Sequence, residues 1–193
     1  TQSPHRAYGA PIALARFSDD AAGAERAVRA FVAAEPEVFG APELELGRAI
    51  RARDVWYVRF RQRVNGLPVL DADWEFRVGR GGRLFAFGAD ALRDPVVGDA
   101  TAPRIGAGVA RAAATLGIDF DAARDRVEDT GREWMLPIVA EEGVTLRRVM
   151  ELNVRIASPP SNWVVLVDAV TADVRLRIDR VRFDVTGTVT GQT

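Results

Sequence analysis

The stretch from Val55 to Val78, VWYVRFRQRVNGLPVLDADWEFRV, alternates with a period of two residues, and that period belongs to a strand with one buried face. Trp56, Val58, Phe60 and Val64 point one way, while Arg59, Arg61 and Arg63 point the other. On the return strand Leu70, Ala72, Trp74, Phe76 and Val78 share a face, and Asp71, Asp73 and Glu75 share the opposite one. Asn65-Gly66 between the two runs marks a hairpin. A two-residue turn there would pair Phe60 with Asp71 and Arg61 with Leu70, mixing charge with apolar side chains on one face. An odd loop, Val64-Asn65-Gly66 with Gly66 left-handed, removes the conflict. The sequence therefore predicts a three-residue loop, a buried aromatic face, and a row of Arg set against a row of acids in solvent.

Around this hairpin the chain reads in two similar halves. SDDAAGAERAVRAFVAAEP has a helical stripe of Ala24, Val28, Phe31 and Val32, with Ser18 or Asp19 as cap and Pro36 as the stop. After the hairpin, Gly79 to Gly82 predicts a turn and RLFAF a third strand. RDPVVGDATAP concentrates Pro, Gly and small polar residues and reads as a linker. Ile105, Val109, Ala113 and Leu116 then recur at helical spacing, with Thr101 as a cap and Gly117 as a stop. The strand-like runs EWMLPIVAE, VTLRRVMELNVRIA, NWVVLVDA, DVRLRID and RVRFDV follow. Helix, meander, linker, helix, meander predicts an α+β fold: two helix-on-antiparallel-sheet modules in tandem, with cystatin-like halves. The expected boundaries are a tail over 1–17, a first module over 18–98, a second over 101–181, and a linker over 182–193 leading to a further domain.

Composition closes several routes to function. The chain has 193 residues, net charge −1 and a pI near 5.9, so it has no global electrostatic case for nucleic acid or an anionic membrane. All 26 basic residues are Arg, which removes Schiff-base lysine chemistry, and the absence of Cys removes thiol catalysis and thiolate metal sites. No run approaches the ~18 apolar residues that a membrane-spanning helix needs. The opening TQSPHRAYGAP lacks the layout of a signal peptide, and the ending VTGTVTGQT reads as a cut through a longer polypeptide.

Candidate chemistry is sparse. His5, the one histidine, lies in a Pro/Gly-bounded terminal stretch and reads as a tail residue, not a zinc ligand. Asp119, Asp121 and Asp125 in DFDAARD lack the Gly and the closing Glu of a calcium loop, so a charged loop is expected. Asp71, Asp73 and Glu75 face Arg at strand spacing and read as solvated pairs; Glu141 and Glu142 form another acidic pair. GRGGRL lies between strands, where no helix N-terminus follows to bind phosphate, and reads as a tight turn. Trp56, Trp74, Trp134 and Trp163 all fall in strand-like runs and read as packing residues. The expectation is a protein without cofactor or metal.

Gln62, followed by Gly66-Leu67-Pro68-Val69, an alternating strand and a Gly-containing turn, resembles the FTP module of propeptides in thermolysin-like and fungalysin-like zinc metallopeptidases. AVRAFVAAEPEVFG is similar to the helix of that module. The second half resembles the PepSY module, through ATLG at Ala114 to Gly117 and through Trp163, Val165, Val167, Asp168, Ala169 and Thr171. It departs at Ala172, where the family has Gly, and this predicts a different turn before Asp173. The resemblance covers about residues 18–181. It implies a propeptide that is no enzyme: a folding chaperone and inhibitor of a secreted or cell-surface zinc metallopeptidase, acting in cis or in trans on its catalytic domain. A monomer is expected, with no nucleic-acid or membrane partner. Arg59, Arg61, Asp71 and Asp73 are the partner-binding candidates on the hairpin. Arg182, Phe183 and Val185 are those in the extended segment 180–187. The alternative is an orphan protein-interaction module of an exported or surface multidomain protein; a carboxylate enzyme is the third reading.

Overall fold

The structure, a computed structural model, describes residues 6–90, 92–93, 95–98, 102–141 and 143–181. The chain divides into two compact units, Thr1–Thr101 with Glu133–Arg148, and Ala102–Arg132 with Val149–Thr193.

In the first unit β1 (Arg6–Ala13) is followed by α1 (Ala21–Ala34), the single turn α2 (Pro36–Phe39), β2 (Glu43–Ala52), β3 (Val55–Val64), β4 (Leu67–Gly79), β5 (Arg83–Ala89) and β6 (Val96–Val97). The strands pair antiparallel in the order β2-β3-β4-β5-β1. Asp20 caps α1, accepting from the Gly23 N–H at 2.7 Å while the Ser18 hydroxyl donates to its other oxygen. The expected caps thus act one step removed: Ser18 steadies Asp20, and Asp19 accepts from the Trp56 indole at 2.9 Å and from Arg51 at 3.0 Å. Ala24, Val28 and Val32 face the sheet as the spacing predicts, joined by Ala27, with Phe31 at the margin. The core beneath them is aromatic: Phe76 stacks on Phe87 at 5.8 Å, and Phe39, Phe60 and Trp74 lie within 6.4 Å of Phe76. Residues 6–13, read from sequence as part of a tail, are the strand β1. Between β4 and β5, Gly82 has φ +71, and a Cβ there would lie 2.7 Å from the Phe17 ring, so the turn requires glycine.

The three-residue loop is overturned. Val64 pairs with Leu67, leaving the two-residue turn Asn65-Gly66 with φ values of 52° and 75°. These angles are those of a type I′ turn, which Asn-Gly favours strongly. Yet Phe60 pairs with Trp74, Val58 with Phe76 and Arg61 with Asp73, so apolar residues still face apolar ones. The slip is absorbed within β4: between the Arg63–Pro68 and Arg61–Asp73 pairs, four residues of β4 oppose Gln62 alone, three more than regular pairing allows, and Asp71 there takes φ 56. Burial changes phase there, from Val69 to Ala72, Trp74, Phe76 and Val78, and Leu70 leaves the face on which it was expected.

In the second unit α3 (Ala107–Thr115) packs on β8 (Gly143–Ile156) and β9 (Ser161–Asp168), with β10 (Val174–Asp179) pairing β9 antiparallel. Ala110, Ala113 and Ala114 form the inward face of α3, whereas Val109 and Leu116, expected inside, are exposed. Small side chains bring the helix close to a sheet whose own Met150, Leu152, Val154, Val165 and Val167 fill the space. Gly117 ends the helix with φ 72 as expected, and Arg177 of β10 donates to the Ala114 and Leu116 carbonyls. Thr101, the expected cap, lies outside the described residues.

The expected α+β architecture of two helix-on-antiparallel-sheet modules in tandem does not describe this chain. The described residues are 54% strand and 18% helix. The reason lies in β7 (Arg126–Ala140) and β8, strands of 15 and 14 residues that pass through both units instead of stopping at a boundary. Residues 133–148 return to the first unit, where Met135 of β7 pairs with Val69 of β4 in parallel, and Thr145 and Leu146 of β8 pair with β6. RDPVVGDATAP, read as a free linker, thus contains a short strand.

Candidate functional site

The outer face of β3 and β4 carries the predicted charged rows. Arg59 meets Asp73 at 2.5 Å, and the Asp73 carboxylate holds the guanidinium pKa above its ordinary value, first through the hydrogen bond and then through its charge. Arg61 lies 5.8 Å from the Trp134 ring centroid in a cation–π contact, although it pairs with Asp73 in strand register. Asp71, displaced by the bulge, is exposed and does not join the row. Arg182, Phe183 and Val185 lie outside the described residues, as does His5.

Beside this row is a cleft of about 300 Å³ lined by Arg6, Tyr8, Arg59, Asp73, Glu75 and Arg77. Ala86, Phe87 and Gly88 of β5 complete its lining. A Cβ on Gly88 would lie 1.9 Å from a guanidinium nitrogen of Arg6, so a larger residue there would push that flexible side chain aside. Arg77 donates to Glu75 at 3.1 Å and stands 5.7 Å from the Tyr57 ring centroid. The surface alternates positive and negative groups, and Arg6 and Tyr8 were missed from sequence because RAYGAPIA, with its Gly and Pro, reads as loop.

The residues that carry the family resemblance occupy positions that shape the backbone. Gln62 is buried; its amide donates to the Leu92 carbonyl at 2.7 Å and accepts from the Leu92 N–H at 3.0 Å, imitating a strand partner. Gly66 supplies the second left-handed residue of the hairpin turn, and Pro68 pairs opposite Arg63. Val69 is buried with Ala72, Met135 and Leu146 in a small second core of the first unit. In the second unit Trp163 is half-buried between Val154 and Asp179. Asp168 is buried and anchors the β9–β10 turn. One oxygen accepts from Val170 N–H at 2.9 Å and Thr171 N–H at 3.1 Å; the other accepts from Arg175 at 2.9 and 3.1 Å. Burial pushes its pKa up, but these donors outweigh it and hold the carboxyl below its ordinary value. Thr171 closes the turn by donating to Asp173 at 2.8 Å, and Ala172, at the glycine position of the family, is left-handed with φ 64.

DFDAARD forms a turn in which Asp125 is buried and accepts from the Asp121 N–H at 2.8 Å and the Ala157 N–H at 2.9 Å. Those two bonds depress its pKa. Among the described residues no group of three or more His, Cys, Asp or Glu is placed to hold a metal ion. Asp20, Asp125, Asp168 and Asp179 are all held below the ordinary carboxylate pKa. A general acid at neutral pH requires the opposite.

No family model matches the chain, and no curated protein matches it. Among solved structures, the Bacillus megaterium YpeB C-terminal domain is 13% identical, covers 87% of this chain and 68% of its own, and superposes with a TM-score of 0.39. A likeness this weak carries no argument about activity or partner.

Proposed function

We propose that this chain is a non-catalytic prodomain that assists folding of a secreted zinc metallopeptidase and keeps it latent by contact. The observation that carries the reading is the use made of the FTP- and PepSY-like residues: Gln62 and Asp168 are spent on fixing backbone, and the charged groups left at the surface form a patterned face. Arg59, Arg61 and Asp73 on that face are the contacts for the catalytic domain, and the β4 bulge sets their spacing. Attachment in cis supplies the high effective concentration that a surface of modest affinity needs, and action in trans demands more of the same contacts. The partner site is extracellular or at the cell surface.

The test adds the isolated chain to a thermolysin-like catalytic domain, both active and unfolded. The expected results are slower peptide hydrolysis and a higher refolding yield, both reduced by Arg59→Glu with Arg61→Glu. If the chain alters neither rate nor yield, the prodomain reading fails. Binding without either effect would favour an interaction module of a multidomain surface protein.

A further inference from the structure

The buried polar side chains are divided unequally. Among the described residues they are Gln62 in the first unit and Asp125, Glu151 and Asp168 in the second. The first unit thus buries a neutral amide, and the second buries three carboxylates. We propose that the second unit is an acid-labile module, which loosens below about pH 4 while the first unit stays folded.

Each carboxylate sits where neighbouring strands meet or at a turn between them. Asp125 links its own turn to the residue following β8, through the N–H groups of Asp121 and Ala157. The charged groups around it are Arg124 at 3.8 Å, itself 3.7 Å from Asp121, and Arg126. Asp168 holds the β9–β10 turn and pairs with Arg175, which is also 3.0 Å from Asp173. Glu151 of β8 faces Arg132 of β7 at 3.7 Å. At the other end of β10, the partly exposed Asp179 accepts from the Asn162 and Val181 N–H groups, at 3.1 and 2.9 Å. Protonation of Asp125, Asp168 or Asp179 removes the charge from the acceptor and leaves its part-buried N–H donors with a weaker partner.

The direction of the effect follows from where these groups titrate. Asp125, Asp168 and Asp179 have depressed pKa values in the folded chain, because hydrogen bonds outweigh the opposing effect of burial. Their contribution is therefore complete above the unfolded value of about 3.9 and is lost as pH falls through the lower folded values. In the first unit Asp19 with Arg51, Asp73 with Arg59 and Glu75 with Arg77 are solvent-facing pairs that contribute little; Asp20 is an exposed cap whose bonds from Ser18 and Gly23 also lower its pKa, and Glu133 pairs with Arg148 at 2.5 Å, away from the aromatic core that holds this unit. Gln62 does not titrate, and the ring cluster is indifferent to pH.

Hydrogen exchange of the full chain between pH 6 and pH 2.5, corrected for the intrinsic pH dependence of exchange, decides the matter. Protection of the β8–β9 ladder over 149–168 is expected to fall by more than about tenfold, with less than about a tenfold change over 56–60 and 74–78. Simultaneous loss in both units would mean a general charge-driven expansion and would overturn the proposal; so would retention of protection in the second unit at pH 2.5. In Asp168→Asn the protection of 161–179 is expected to be low already at pH 7 and to change little on acidification. Wild-type-like protection with an unaltered pH profile in that variant would count equally against the idea. Should Asp168→Asn not fold, the wild-type profile alone decides. No peptidase enters the experiment, so its outcome is independent of the prodomain reading.

Discussion

The first unit seats α1 on its sheet through Phe31, Phe39, Phe60, Trp74, Phe76 and Phe87, and the second seats α3 through three alanines against Met, Leu and Val. The first fixes an irregular segment with one neutral amide, Gln62; the second fixes its turns with ionised carboxylates. Large rings supply buried area and contact geometry with few polar obligations. A core of alanine and aliphatic residues has less area per side chain to bury, and the second unit relies more on hydrogen bonds to charge. These are two ways of holding a helix to a sheet, and they fail under different conditions.

The largest way to break the contrast is Phe76→Ala. It removes a fully buried ring that touches four others, and the expected cost is about 3–5 kcal/mol, read by urea melts and by exchange confined to 56–60 and 74–78. Equal loss of protection in 149–168 would show the units to be one cooperative body. Next comes Gln62→Ala, which leaves the Leu92 N–H and C=O without their side-chain partner, at about 2 kcal/mol. Its loss should not depend on pH between 7 and 3, and a pH-dependent loss would erase the distinction between amide and carboxylate anchors. The smallest effect belongs to the second unit. Ala172→Gly relieves a left-handed alanine and is expected to stabilise by about 1 kcal/mol, seen as a higher midpoint in the tryptophan signal of Trp163. A lower midpoint would mean that packing of the Ala172 methyl outweighs the strain.

The hairpin was legible because period-two alternation over twenty residues has few alternative readings, and its parity conflict was legible too. Where the conflict is resolved was not. Asn-Gly has a local preference strong enough to fix the turn by itself, so the extra residues went into β4, where Asp71 tolerates a positive φ. β1 escaped notice because an edge strand can carry the Pro11 that argues against an interior one. For α3, spacing alone suggested that the largest apolar residues face inward; close approach to a well-filled sheet selects alanine instead. At the candidate site, Arg59 and Asp73 were readable from alternation, and Gln62 was flagged by resemblance. Its partner Leu92, thirty residues away, left no local signal. The shared β7–β8 hairpin was the feature least visible, since nothing in a strand's own sequence tells how many partners it will serve.

The bulge in β4 has a consequence for how this hairpin tolerates change in length. Between Val69 and Ala72 the inward and outward positions exchange, so removal of a single residue there would turn Trp74, Phe76 and Val78 out to water and bring Asp73, Glu75 and Arg77 beneath α1. Removal of two would leave every one of them facing as it does now. Viable relatives of this hairpin should therefore differ in this stretch by even numbers of residues, a counting rule written by the sheet and not by any single side chain.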